Sequence, residues 1–259
     1  MQQESPSSIS SFSPAGVQMP ARPYLAILLG LYFLLGLLNL AGQVWGLSAL
    51  SFWSKPFLMP VLGLYFWLGM TPARPRWSFW VLLALFFSTG GDISLLFAHQ
   101  SGLFFMLGLG SFLLGHLAYL GAYSGSVQDL GKSPLLRRKP HAITPFLVYS
   151  MGLYAWLWPH LGPMQWPVFA YTGVIITMAL LALNRWGRTC FPSFYLCFGG
   201  ALLFLISDSL IALDRFVGLI PGGSFFVMLT YILAQFGIVQ GLLVHTYLQN
   251  SQEGVFRTN

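Results

Sequence analysis

The chain has 259 residues, of which 56% are hydrophobic and only 7% are charged. In a soluble globular protein about a quarter of the residues are charged, so this composition excludes that class and predicts a chain solvated mostly by lipid. The net charge of +6 comes from basic residues scattered over short polar segments between apolar runs. This distribution argues against a nucleic-acid-binding domain and is typical of the loops of a membrane protein.

Three regions follow one another along the chain. Residues 1–22 are rich in Ser, Pro and Gln and contain no apolar segment with a cleavage site, so they are predicted to be a disordered tail and not a signal peptide. Residues 23–249 contain successive apolar runs of roughly 17 to 22 residues, each long enough to cross a hydrocarbon core of about 30 Å. Residues 250–259 are a C-terminal tail. We therefore predict an all-α membrane protein, a bundle of eight transmembrane helices at about 24–45, 53–70, 77–97, 103–123, 142–158, 165–184, 193–213 and 224–248.

An even number of spans places both chain termini on one side of the bilayer. Of the twelve Lys and Arg residues, all except Lys55 and Arg215 then fall on that same side. Because basic residues are enriched in cytoplasmic loops, both termini are predicted to be cytoplasmic. Removing one span would scramble this bias, which supports the count of eight.

Two acidic residues, Asp92 and Asp208, fall deep inside predicted spans. A carboxylate at the centre of a bilayer costs at least about 2.5 kcal/mol, so such residues usually face a bundle interior or a wet cavity and mark function. Each lies about fifteen residues along an outward-running span, or roughly 22 Å into a core of about 30 Å. The two carboxyl groups are predicted to share one depth in the outer half. The simpler alternative is an interhelical hydrogen bond that only holds the bundle.

Lys55, Tyr231 and Gln235 are predicted to converge on the same outer half, whereas His116 and Tyr119 are predicted to lie deeper, at the floor of the cavity. Lys55 begins the second span, His116 and Tyr119 lie one turn apart in the fourth, and Tyr231 and Gln235 lie one turn apart in the eighth. Simpler interpretations also exist, because a lysine stem can extend to the interface and polar side chains often join helices. Paired glycines before each aspartate are predicted to allow close approach of neighbouring helices.

These residues belong to five short motifs that follow one another along the chain. They are Lys55-Pro56, Gly91-Asp92, Phe112-x-x-x-His116-x-x-Tyr119, Gly200-Ala201-Leu202-Leu203-Phe204-x-x-Ser207-Asp208-Ser209, and Tyr231-x-x-Ala234-Gln235. Over about residues 50–245 the chain resembles the YhhN family of membrane proteins, whose characterised members are lysoplasmalogenases.

The resemblance implies an eight-helix hydrolase without a cofactor. It would cleave the vinyl ether bond of a lysoplasmalogen, or a related single-chain ether lipid, to a fatty aldehyde and glycerophospho-ethanolamine or glycerophospho-choline. The family's proposed catalytic pair falls on Asp92 and Asp208. The substrate-binding set implied here is Lys55, His116, Tyr119, Ser207, Tyr231 and Gln235.

The implied reaction requires an acid beside an anion. Protonation of the β-carbon of a vinyl ether gives an oxocarbenium ion, which captures water and collapses through a hemiacetal to aldehyde and alcohol. Two neighbouring carboxyl groups do not both ionise readily in a low dielectric, so one would donate the proton while the other stabilises the cation. Which aspartate has which role is left open. Lys55 is expected to bind the lipid phosphate, and His116 and Tyr119 the glycerol or the water.

Three other classes of function stay open at this stage. Intramembrane carboxylates also serve proton- or cation-coupled transporters, and a structural protein that organises membrane lipids is possible. A metal-dependent hydrolase is disfavoured because His116 and His245 lie far apart, and Cys190 and Cys197 have no histidine nearby. A bacterial inner membrane is the expected location, an internal eukaryotic membrane is the alternative, and the oligomeric state is left open.

Overall fold

The computed structural model describes residues 22–70, 74–127, 133–218 and 220–257, with side chains up to residue 249. Over these residues the chain is helical and contains no strand. The helices are α1 (Pro23–Val44), α2 (Ser48–Gly69), α3 (Ser78–Leu96), α4 (Gly102–Gly125), the single turn α5 (Leu135–Arg138), α6 (Thr144–Leu161), α7 (Gln165–Leu183), α8 (Phe191–Phe216) and α9 (Gly223–Arg257). Short 3-10 turns, Pro140–Ile143 and Gly162–Met164, precede and follow α6.

The eight long helices in this part of the chain correspond one to one with the eight predicted spans. Within the described residues, six segments are long and apolar enough to cross a membrane, and one of them, Pro140–Leu183, contains both α6 and α7. The protein is therefore an integral multi-pass membrane protein. That all eight helices cross the bilayer, and that both termini are cytoplasmic, stay predictions. The predicted N-terminal tail, apart from Arg22, and residues 128–132 of the basic loop lie outside the described residues.

Two helices extend beyond their predicted limits. α2 begins at Ser48, ahead of the predicted 53, and α9 continues through the predicted C-terminal tail to Arg257. Hydropathy marks where a helix meets lipid, whereas a polar stretch without a strong helix breaker can continue the helix into water. α2 also contains Pro56 and Pro60, each of which removes one N–H from the helical hydrogen-bond ladder close to Lys55.

α9 is the most buried span of the bundle. In its most apolar segment 61% of the residues are buried, against 22 to 39% for the other spans. Neighbouring helices pack in the order α1, α2, α3, α4, α7, α8 and α9, and α9 returns to contact α1 and α2. Two phenols attach α9 to this ring, because the hydroxyl of Tyr32 donates to the carbonyl of Ile232 at 2.7 Å and that of Tyr65 to Gln240 Oε1 at 2.7 Å.

α6 lies on the outside of the bundle and packs mainly against α7 and α8. Its buried residues are Phe146 near one end and Leu157 and Leu161 near the other. Between these ends no residue of α6 is fully buried.

The closest helix pair, α8 and α9, meets at Gly200. A Cβ added there would come within 2.8 Å of the Ala234 carbonyl oxygen and 2.9 Å of the Ile238 amide nitrogen. The neighbouring Gly199 has nothing within 4 Å of the same added atom. Of the two glycines predicted to permit close approach, Gly200 does so and Gly199 faces open space.

This difference predicts the outcome of a matched pair of substitutions. Gly200→Ala is expected to lower the thermal stability of the detergent-solubilised protein by about 1–3 kcal/mol, because backbone atoms of α9 must move to admit the methyl group. Gly199→Ala adds the same methyl and the same gain in helix propensity without the contact, so it serves as the control. Thermal unfolding is followed by tryptophan fluorescence. Equal melting temperatures for the two variants would contradict the close contact of α8 and α9 at Gly200.

Candidate active site

Asp92, on α3, is sealed inside the bundle with only 1% of its surface exposed. Its Oδ2 accepts a hydrogen bond of 2.8 Å from the hydroxyl of Tyr231 on α9. Its Oδ1 lies 3.7 Å from Nζ of Lys55 on α2, whose side chain is 15% exposed. The carboxyl group therefore joins three helices and holds the Lys55 ammonium beside the core of the bundle.

Asp208, on α8, has a different set of partners. The hydroxyl of Tyr171 on α7 donates to its Oδ2, and Nε2 of His116 on α4 lies 3.4 Å from the same oxygen. Among the described residues Oδ1 of Asp208 has no hydrogen-bond partner, and the side chain is 9% exposed. One carboxyl oxygen is thus held by the protein while the other is free to meet a ligand.

The hydrogen bond made by His116 defines how its ring is protonated. Nδ1 lies 2.5 Å from the carbonyl oxygen of Phe112, and because a carbonyl can only accept, Nδ1 carries a hydrogen. Nε2 therefore faces Asp208 either with its lone pair or with a second N–H. Edge contacts to the rings of Tyr171 and Phe204, with centroids 5.4 and 4.6 Å away, hold the imidazole in place. His116 Nε2 thus lies near Asp208 but makes no hydrogen bond within the described residues.

An aromatic layer lies between the two carboxyl groups. The ring of Phe204 packs edge-on against both His116 and Tyr231, which are partners of different aspartates. Phe112 packs against Tyr231 from another side, and an added Cβ at Gly91 would lie 2.6 Å from the Phe112 ring. In the described part of the chain no hydrogen bond or ion pair joins Asp92 to Asp208. That the two aspartates act as one pair stays a prediction, since each has its own partners.

The remaining predicted site residues bond to helices and to one another. The hydroxyl of Tyr119 donates to Gln235 Oε1 at 2.5 Å, and Gln235 Nε2 donates to Ser88 Oγ at 3.0 Å. Ser207 Oγ donates to the carbonyl of Val227 at 3.0 Å, linking α8 to α9. The structure thus places Lys55, Tyr231 and His116 against the carboxyl groups, and the other three predicted residues in contacts that hold the helices.

Two cavities adjoin the site. The first, which we call the apolar slot, has a volume of about 60 Å³ and lies between α4, α6, α7 and α8, with Asp208 in its wall. The second, the polar vestibule, has a volume of about 690 Å³ and lies at the end of the bundle where α1, α3 and α8 finish, with Lys55 in its wall. Both cavities are lined in part by the same three apolar residues, Leu95, Phe105 and Ile211.

Sequence reasoning missed Tyr171, Tyr149 and Ser209, which line the slot together with Asp208. Tyr149, on α6, donates to Ser209 Oγ at 2.9 Å and so links α6 to α8 beside the slot. Both tyrosines lie in spans without an acidic residue, and a tyrosine in an apolar span is ordinarily read as packing. Ser209 stood in a recognised motif next to Asp208, which was the available signal. Where the structure describes side chains, no group of three His, Cys, Asp or Glu residues could hold a metal ion.

Comparison with known proteins identifies relatives of this bundle. The sequence model of the YhhN family matches residues 50–242. A protein named lysoplasmalogenase from Mycobacterium bovis is 34% identical over 140 residues, which cover 53% of this chain and 50% of that protein. The protein named lysoplasmalogenase TMEM86B from Mus musculus is 32% identical over 168 residues, covering 64% of this chain and 65% of the relative.

The match thus spans about half the length of the mycobacterial relative and somewhat less than two thirds of the mouse one. No solved structure matches the chain significantly. The family match runs from the start of α2 into α9. It contains Lys55 and Asp92, which form an ion pair, and His116 and Asp208, which lie 3.4 Å apart. The chain therefore belongs to the YhhN family.

Proposed function

We propose that this protein hydrolyses the vinyl ether bond of lysoplasmalogens, releasing a fatty aldehyde and a glycerophospho-alcohol. The relatives at 32 to 34% identity carry the name lysoplasmalogenase, which supports the same activity here. The observation that carries the proposal is the position of Asp208, whose carboxyl group lies in the wall of an apolar slot beside a polar vestibule.

The two cavities match the two parts of a single-chain lipid. The alkyl chain would enter the apolar slot from the lipid side, and the phosphate-bearing headgroup would occupy the vestibule. The vinyl ether links the chain to the glycerol, so it would lie where the cavities share Leu95, Phe105 and Ile211. The slot is narrow at about 60 Å³, so entry of a chain requires movement of α6, which lies on the outside of the bundle and has no fully buried residue in its middle.

Asp208 is the acid in this mechanism. Its free oxygen, Oδ1, delivers a proton to the β-carbon of the vinyl ether, which becomes an oxocarbenium ion. The resulting carboxylate lies beside that cation and stabilises it, then removes a proton from the water that attacks the cationic carbon. The hemiacetal formed in this way collapses to aldehyde and alcohol, and Asp208 has regained its proton.

His116 and Tyr171 hold the other oxygen of Asp208 during these steps. The Tyr171 hydroxyl donates to Oδ2 whether the carboxyl group is protonated or not. His116 Nε2, at 3.4 Å, can take or return a proton when that distance shortens, as catalytic hydrogen bonds often do on substrate binding. Both are positioning residues for the acid.

Asp92 acts through Lys55. The ammonium of Lys55 lies between the sealed carboxyl group of Asp92 and the vestibule, where it serves as a compact positive charge for the lipid phosphate. Tyr231 holds the second oxygen of Asp92. In this proposal Asp92 positions the headgroup, and Asp208 performs the proton transfer.

A second candidate is a proton- or cation-coupled transporter. The pairing of Lys55 with Asp92 and of His116 with Asp208 inside the bundle favours it, because intramembrane acidic and basic residues also form proton pathways. The two functions differ in a detergent micelle, where no gradient exists. Release of aldehyde by the purified protein in detergent supports the hydrolase. Movement of a labelled substrate across the membrane of sealed vesicles, without its breakdown, supports the transporter.

Asp208→Asn is expected to lower the rate of aldehyde release by at least about a hundredfold, the lower range for loss of a general acid. The amide still accepts the hydrogen bond from Tyr171 and has nearly the same shape, so the variant should melt at the wild-type temperature. Aldehyde is measured by coupling to an alcohol dehydrogenase, with the saturated ether analogue as the substrate control. A variant that retained more than a tenth of wild-type turnover would rule out Asp208 as the acid.

Lys55→Gln is expected to raise KM by about tenfold or more with a smaller change in kcat, because a hydrogen bond to a charged group contributes about 1.5–3 kcal/mol. Lys55→Arg retains a positive charge at the vestibule and should recover most of the affinity. The two variants are compared in the same aldehyde assay over a range of lipid concentrations. Equal KM values for the wild type and Lys55→Gln would remove Lys55 from the headgroup site.

A further inference from the structure

We propose that the polar vestibule selects a headgroup with a primary ammonium, so that ethanolamine lysoplasmalogens are hydrolysed in preference to choline lysoplasmalogens. The inference rests on the proposed function and assigns the headgroup to particular residues. The vestibule volume of about 690 Å³ lies within the range of about 300–1,000 Å³ that is usual for small-molecule sites.

The walls of the vestibule carry both signs of charge. Lys55, His99 and Arg215 line it together with Asp214. Ten of the twelve Lys and Arg residues are predicted to lie on the cytoplasmic side of the bilayer. The other two, Lys55 and Arg215, both line this cavity. Positive groups beside a carboxylate suit a zwitterionic headgroup, which presents a phosphate and an ammonium a few bonds apart.

A chain of side-chain amides ends in an acceptor at the vestibule wall. Asn39 Nδ2 donates to the carbonyl of Ser51 at 2.8 Å and to Ser54 Oγ at 3.2 Å. Because a backbone carbonyl only accepts, Asn39 must turn its Oδ1 the other way, where it accepts from Gln43 Nε2 at 2.7 Å. This fixes the Gln43 amide with Oε1 turned away from Asn39, where it is buried.

Oε1 of Gln43 has no hydrogen-bond partner within the described residues. A sheltered acceptor without a donor is costly, and Gln43 lines the vestibule. A headgroup N–H donor satisfies this acceptor when the Gln43 side chain turns it toward the vestibule.

Asp214 supplies the negative charge. Its Oδ1 accepts from the amide of Ile220 at 2.8 Å, which anchors the carboxylate to the start of the turn before α9. A carboxylate has further acceptor positions, and Asp214 lines the same cavity as Gln43. An ethanolamine ammonium has three N–H donors to share between two such acceptors.

Choline is recognised in a different way, because its quaternary nitrogen has no N–H and binds to open aromatic faces. Two phenylalanines, Phe52 and Phe105, belong to the described lining. The face of Phe105 is covered by the guanidinium of Arg215, 4.8 Å from the ring centroid. Phe52 makes edge contacts with Trp53 and Phe97. The vestibule therefore offers hydrogen-bond acceptors and no free aromatic cage among these residues.

The experiment compares ethanolamine and choline lysoplasmalogens with the same alkenyl chain on the purified full-length protein in detergent. The expected kcat/KM is about tenfold higher for ethanolamine, the factor that one additional charged hydrogen bond typically contributes. Competition by the saturated ether analogues of both headgroups reports binding without turnover, and the same order of affinity is expected.

Two variants assign the preference to the proposed residues. Gln43→Leu and Asp214→Asn should each move the ratio of the two kcat/KM values toward one. Gln165→Leu, at the start of α7 and outside the vestibule lining, is the matched control and should leave the ratio unchanged.

The outcomes separate this inference from the function on which it rests. Robust aldehyde release from both lipids with equal kcat/KM would overturn the headgroup preference and leave the hydrolase intact. A preference that persists in both Gln43→Leu and Asp214→Asn would overturn the assignment to these residues. If neither lipid yields aldehyde, both the hydrolase function and this inference are overturned.

Discussion

The cost of placing a carboxyl group inside a membrane bundle constrains this structure more than any other interaction. Each intramembrane aspartate is held by a basic side chain and a phenol, Lys55 and Tyr231 for Asp92 and His116 and Tyr171 for Asp208. The first set joins α2, α3 and α9, and the second joins α4, α7 and α8. Six of the eight long helices in the described chain are therefore positioned by the need to compensate two acids.

The two acids lie in different surroundings, which gives them different chemical capacities. Asp92 is sealed, and both of its oxygens have partners inside the protein. Asp208 keeps one oxygen without a partner among the described residues and forms part of the slot wall. Phe204 contacts His116, the partner of Asp208, and Tyr231, the partner of Asp92. One aromatic ring therefore borders both environments. The same residue type thus provides a buried carboxyl group that holds a cation and a second carboxyl group that lines a cavity.

Composition and hydropathy were sufficient to predict the helices and the main candidates. Apolar runs of membrane-spanning length marked the eight long helices to within a few residues, except at the start of α2 and the end of α9. The free-energy cost of a buried acid marked Asp92 and Asp208, and polar residues within spans marked Lys55, His116 and Tyr231. Local chemistry accounts for this success, because the length of a helix and the cost of a charge depend only on the residues themselves and on the thickness of the bilayer.

The tertiary structure alone decided which groups meet. Counting residues along a span gives the depth of a side chain, but a change of one residue rotates it by about 100° around the helix axis, and the order of helices around the bundle is not written in any one span. For this reason Tyr171 could not be assigned to Asp208, and Tyr119 and Gln235 could not be seen to bond to each other. The slot and the vestibule likewise arise between helices that are distant in sequence. The sequence determined a membrane bundle with two costly acids, and packing determined that one is enclosed with a lysine while the other faces a cavity.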